Sequence, residues 1–340
     1  MEFLRQHVGE AAALGAATCW VFTSLAFSAA SRRIGPTVVN VIRILLAWSI
    51  LLVIHRLLVG RWLPQTDRST VELLALSGLI GFAIGDQLLF SAFVDIGPRL
   101  TTLLMTLTPP VAAALAWPLL HEPLGGWAML GIAITLVGIA WVAQERPDPA
   151  AFRRHDHRHR ARGLWCGSIA AICQAAGLIL SKLGIGHTRM PQAEYLDPWS
   201  ASLIRVSFGA LAICALAIIR RAGRSASAVG AVATTVTPAA ANRAAEGFQA
   251  DSAKPRSGSV VPMALLLLTI GAILGPVVGV WFSLVAIDRA QAGIAATLMA
   301  MTPVFILPFA VWIEKERLSW RAMAGAAVAV AGVAILTWRS

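Results

Sequence analysis

The second half of this chain repeats the first. The stretch Leu103-Leu-Met-Thr-Leu-Thr-Pro109, followed by His121-Glu-Pro-Leu124 and Ala128-Met-Leu-Gly131, returns 194 residues later as Thr297-Leu-Met-Ala-Met-Thr-Pro303, Lys315-Glu-Arg-Leu318 and Ala322-Met-Ala-Gly325. The pairs Gly81/Gly275, Gly85/Gly279, Glu122/Glu316 and Gly138/Gly332 keep that offset without a gap. Any fold must therefore hold two copies of one unit, with its principal cavity expected where the copies meet.

The unit is made of apolar runs. Ten of them span 11–30, 37–58, 71–94, 100–120, 124–143, 163–185, 199–219, 261–287, 291–313 and 319–338. Crossing a bilayer core takes about 20 apolar residues in a helix, and these runs have that length. Charged residues are 13% of the chain, about half the usual share in a soluble domain. Period-2 alternation is absent, which excludes strands. The expected fold is an all-α membrane protein of ten transmembrane helices.

Residues 11–143 hold the first five-helix repeat, 144–162 a basic connecting loop, and 163–338 the second repeat. An Ala/Ser/Gly/Pro-rich stretch at 220–260 reads as a disordered linker inside the second repeat. Five is odd, so the second copy must enter the membrane upside down, and the repeats are expected to be inverted. With ten spans both termini share one side. Counting Arg and Lys by loop places that side outside the cytoplasm.

The net charge of +11 suggests nucleic acid, but the basic residues are spread over loops, as cytoplasmic loops of membrane proteins require. The partners expected are a lipid bilayer and a small-molecule solute, with no nucleic acid; a monomer or a homodimer fits equally. Cys19, Cys166, Cys173 and Cys214 lie in apolar runs without metal or disulfide spacing, so they read as packing residues. His155, His157 and His159 alternate with Arg and read as a solvated loop, so no metal site and no cofactor are expected. The first apolar run is too long for a cleaved signal peptide.

Ionisable groups inside spans are costly and so are candidates for function. Asn40-Val-Ile-Arg43 and Ser202-Leu-Ile-Arg205 each place two polar groups on one helix face, about 10 Å from the helix start. Either the arginines face a cavity and hold an anion or a helix end, or they snorkel to the interface. Asp86, followed by Gln87, is the acidic residue deepest in a span, and its repeat mate is Val280. It is either a proton-coupling carboxyl or a static partner of Lys182, Arg43 or Arg205. Pro109 and Pro303, each behind a threonine (Thr108, Thr302), break helices at equivalent places and shape a shared cavity. Gln174 shares a helix face with Lys182. Trp20, Trp48, Trp117, Trp281 and Trp312 lie deep enough to line a cavity, whereas Trp199 and six others sit near helix ends. Glu122 and Glu316 read as turn residues favouring the start of the following helix. Asp95, Asp288 and Arg289 read as solvated.

Taken in order, Arg43 and Arg205, Pro109 and Pro303, Glu122-Pro-Leu124 and Glu316-Arg-Leu318, with the Trp20 neighbourhood, resemble the EamA family of the drug/metabolite transporter superfamily. The resemblance covers nearly the whole chain. It implies a ten-helix carrier of the inner membrane, commonly an exporter, with both termini in the cytoplasm, opposite to the charge count. Related small multidrug carriers use a glutamate in the first helix, where this chain has Thr18, Cys19 and Trp20.

The function expected is a secondary transporter, exporting an amino acid or similar small organic solute by alternating access. Trp20, Asn40, Arg43, Asp86, Gln87, Thr108, Pro109, Gln174, Lys182, Ser202, Arg205, Trp281, Thr302 and Pro303 are its candidate path residues, on a cavity lined by helices one, three, four, six, eight and nine. No enzyme is expected, because a membrane transferase needs paired carboxylates and Asp95 and Asp288 stand alone. The alternatives are that enzyme, a non-transporting scaffold or, on the His-rich loop alone, a divalent-metal carrier.

Overall fold

The structure is a computed structural model that describes residues 7–144, 157–185, 196–234, 260–302, 304–305 and 320–338. All the regular structure among these residues is helical. The first half comprises α1 (Val8–Ile34), α2 (Pro36–Val59), α3 (Arg68–Asp95), α4 (97–120) and α5 (Gly126–Gln144). The second comprises α6 (His157–Ile185), α7 (Pro198–Thr234), α8 (260–289), α9 (Ala292–Met299) and α10 (Trp320–Trp338). Among the described residues, seven helices are long and apolar enough to cross a membrane, and α5 and α10 hold shorter apolar stretches. The run expected at 291–313 is described only in part. Pro303, Trp312 and Glu316 lie outside the described residues.

Local sequence explains the helix ends. Gly35, at φ 86°, makes the one-residue turn between α1 and α2, a conformation a side chain would resist. Pro36 and Pro198 open α2 and α7 at positions where the missing N–H costs nothing. Asp67 caps α3: the Ser69 hydroxyl and the Thr70 N–H hold its carboxyl well below the usual carboxylate range. One expectation is corrected here. Residues 220–234, read as the start of a linker, continue α7 as helix. Their frequent alanines, interrupted by only two glycines, favour helix strongly enough to extend it past the apolar run.

Backbone irregularities repeat at the 194-residue offset. α3 contains a π-helical segment at Leu79–Gly85 and α8 one at Ile273–Gly279. α4 tightens into a 3₁₀ turn at Met105–Leu107, and α9 stops at Met299, the residue equivalent to Met105. Such segments interrupt the ordinary hydrogen-bond ladder and are common at functional sites.

The halves interlock. α1 packs on α8 and α9, and its equivalent α6 packs on α3 and α4; α2 packs on α7, and α5 on α10. Ala16, Ala17, Cys19 and Trp20 of α1 correspond to Ala170, Ala171, Cys173 and Gln174 of α6. Accordingly, Gly85 of α3 lies against Cys173 and Gly279 of α8 against Cys19. The α5–α10 crossing is as symmetric. A side chain at Gly138 would collide with the Ala329 backbone, and one at Gly332 with the Thr135 backbone. Thr135 and Ala329 are themselves equivalent, so contacts advance along one helix while receding along the other. The two related helices cross antiparallel, backbone to backbone, as small residues permit.

Candidate functional site

A cavity of about 170 Å³ lies between the halves. Its wall carries five aromatic rings, Trp20 and Phe27 from α1 and Phe82, Phe90 and Phe93 from α3, among threonines and aliphatic residues. Phe27 and Phe90 meet edge to face at 5.5 Å. Both halves contribute to the lining: Asp86 and its mate Val280, Thr108 and its mate Thr302, and Trp20 and Gln174, which are equivalent on α1 and α6. The threonines behave alike. Thr108 Oγ1 reaches the Ala171 carbonyl and Thr302 Oγ1 the equivalent Ala17 carbonyl, each at 3.4 Å. α2 and α7 supply the two arginines, which were expected to face the cavity or brace its edge.

The charged centre is built on the π segment of α3, where the Asp86 N–H bonds the Gly81 carbonyl five residues back. Asp86 is 3% exposed and forms an ion pair with Arg43, also 3% exposed. The carboxylate accepts a second hydrogen bond from Gln174 Nε2 at 2.6 Å. Asn40 Oδ1 accepts from Arg43 Nη2 at 2.8 Å, while its own amide donates to the Phe82 carbonyl at 3.2 Å. The guanidinium carbon lies 4.8 Å from the Phe90 ring centre and 5.6 Å from that of Phe27. Arg43 is thus fixed by charge, hydrogen bond and ring faces together. It does not snorkel, and neither does Arg205, whose Nε donates to Ser77 Oγ at 2.9 Å.

Other candidates have different surroundings. Gln87 donates to Thr37 Oγ1 at 3.0 Å, joining α3 to α2. Pro109 is buried beside Thr108, outside the lining, and Ser202 Oγ is buried without a hydrogen-bond partner among the described residues. Trp281 stacks on Trp199 at 4.9 Å, so Trp199, near the start of α7, packs on α8. Trp48 bonds Ser207, and Trp117 is 69% exposed on the outer surface. Lys182 Nζ pairs with Glu122 Oε1 at 2.6 Å and donates to the Ala290 carbonyl at 2.7 Å.

Three readings are corrected. Glu122 does not serve the helix that follows it: its Oε2 accepts from the Ala292 N–H at 2.9 Å, so it caps α9 of the other half. Asp95 is not solvated but 3% exposed, and Arg162 grips it through Nε and Nη2 at 2.8 and 2.6 Å. Asp288 is likewise enclosed, with its Oδ2 3.2 Å from Arg289 Nε. The Glu122–Lys182 pair lies by the start of α9 and Asp95–Arg162 by the start of α6, so one ion pair ties each end of the interlocked halves. No cluster of metal-ligating side chains occurs among the described residues.

A family model described as the EamA-like transporter family matches residues 7–144 and 161–338. No curated protein matches the chain. A solved structure, titled only as the crystal structure of a protein, shares the fold with a TM-score of 0.65 at 16% identity, covering 96% of each chain.

Proposed function

Because the chain belongs to the EamA-like transporter family, a multi-pass membrane family of transporters, we propose that it is a secondary carrier exporting a small organic solute, such as an amino acid or another metabolite of that size, across the inner membrane. The observation that carries this reading is the cavity: it lies between interlocked, equivalent helices and holds buried charges that a static scaffold would not need. The antiparallel crossing of α5 and α10 supports an inverted second half, and the ten apolar runs of the sequence support ten spans. Inverted halves can rock about a fixed central site. In such a cycle the Glu122–Lys182 and Asp95–Arg162 ties break in turn, each admitting solvent from its own side. Asp86 is the coupling group in this reading: protonating it would release Arg43 and alter the cavity's charge.

The test is metabolite profiling of cells and medium, comparing cells that carry the intact protein, Asp86→Asn or an empty vector at matched membrane abundance. A solute moved by the intact protein and lost with Asp86→Asn would support both carrier and coupling. Equal transport by the variant would remove Asp86 from coupling. If no solute moved with folded protein present, the carrier reading would fail.

A further inference from the structure

Arg205 is 5% exposed and its guanidinium lines the cavity. It is held from behind, by the Nε bond to Ser77 Oγ and by the Phe82 ring at 4.9 Å. Ser77 is itself anchored, with its hydroxyl 2.6 Å from the Gly177 carbonyl of α6. Neither terminal nitrogen of Arg205 has a hydrogen-bond partner among the described residues, and no carboxylate there lies within ion-pair distance. Asp86 acts on Arg205 through space, but its oxygens are bonded to Arg43 and Gln174, so Arg205 shares that carboxylate without a hydrogen bond to it. Among the described residues the ionised groups lining the cavity are Arg43, Arg205 and Asp86, which leaves one positive charge over.

An arginine does not lose its proton in a protein, so burial cannot neutralise it. Two buried cations that share one carboxylate are costly, and part of that cost is recovered when an anion arrives. We propose that Arg205 anchors the carboxylate of a small organic monoanion whose apolar body lies against Trp20, Phe27, Phe82, Phe90 and Phe93; this rests on the carrier reading and names its substrate class. The two unbonded nitrogens present the fork that matches a carboxylate's two oxygens. The surplus of one charge selects a monoanion, since a dianion would leave a negative charge unbalanced between aromatic walls. A substrate ammonium finds no unpaired carboxylate on the cavity among the described residues. The volume suits a single ring, because a cavity of about 150 Å³ holds benzene.

Purified protein in detergent is titrated calorimetrically with benzoate, 3-phenylpropionate, benzamide and benzylamine. Proteoliposomes are then assayed for counterflow of the same four. The acids should bind at least tenfold tighter than the amide and the amine. Arg205→Gln should abolish that preference, and Arg205→Lys should keep part of it. Ser77→Ala, which leaves the guanidinium in place but unbraced, separates loss of the charge from loss of folding. Equal binding of acid and amide by the folded intact protein overturns the anchor, as does an acid preference that survives in Arg205→Gln. Counterflow of the amide or amine without the acids overturns the anchor and leaves a carrier standing. Acid binding that depends on Arg205 without counterflow of any probe leaves the anchor standing and removes the carrier.

Discussion

Arg43 and Arg205 occupy the same place in the two halves, eighth in helices that both begin at a proline. Arg43 meets Asp86, Asn40 and two phenylalanines. Arg205 meets Ser77 and one phenylalanine, its neighbour Ser202 bonds nothing among the described residues, and the position equivalent to Asp86 is Val280. The backbones nevertheless repeat down to their π segments. Symmetry of the scaffold therefore coexists with asymmetry of charge, and the difference falls where the halves share a cavity. One half neutralises its cation in place; the other leaves it for a ligand.

The largest expected effect comes from making the first half resemble the second. Asp86→Ala strands Arg43 between aromatic walls and should lower stability by about 3–5 kcal/mol, the cost of breaking a buried pair by one partner. Arg43→Met combined with Asp86→Ala should recover most of that loss, because no charge remains uncompensated. Thermal unfolding in detergent reads both. A double variant as unstable as the single would mean that the pair is not the unit that fails.

Where the halves are equivalent, variants should match. Gly138→Leu and Gly332→Leu each force a side chain into the other helix's backbone at the α5–α10 crossing. Overpacking of this kind costs about 1–3 kcal/mol. The two losses should agree closely in unfolding midpoint; unequal losses would show that the crossing is less symmetric than its contacts.

The apolar runs, the repeat and the paired arginines were readable in the sequence because bilayer length and equivalent spacing act locally. Phe82, Asp86, Phe90 and Phe93 were open to the same reading, since steps of four, four and three residues put them on one face of α3; only Asp86 was singled out, for its charge. The π segments carry no comparable signal, because a shift of hydrogen-bond register depends on what packs around the helix. Glu122 shows the same limit from another side. Its sequence neighbours suggest the next helix, yet it bonds Ala292, 170 residues away, because interlocking brings the start of α9 to the end of α4. Asp95 was assigned to solvent and Arg162 to a connecting loop for the same reason: their partnership exists only once α6 lies against α3 and α4.

The two ends can be compared in the same way. Lys182 is 9% exposed in its pair with Glu122, whereas Arg162 is 61% exposed in its pair with Asp95. Lys182→Met should cost about 2 kcal/mol, in the range of a hydrogen-bonded charge removed from a shielded site. Arg162→Met should cost a similar amount, because it strands the buried Asp95, but that cost should shrink in high salt, since the Arg162 guanidinium faces solvent. Unfolding midpoints at low and high salt separate the two, and a salt-sensitive Lys182 tie would mean that its end is open to water.

The last comparison runs in the opposite direction, giving the second half what the first already has. Val280→Asp places a carboxylate at the position equivalent to Asp86, on the wall of the same cavity. The surplus positive charge then vanishes, and an arriving carboxylate faces a neutral site that already contains its competitor. Binding of benzoate should fall at least tenfold, about 1.4 kcal/mol, while Val280→Asn, of the same size without the charge, should fall far less. Calorimetric titration of the three proteins decides it. Equal losses in the two variants would point to crowding of the cavity wall, and unchanged benzoate binding in Val280→Asp would mean that the difference in charge between the halves does not govern what the cavity takes.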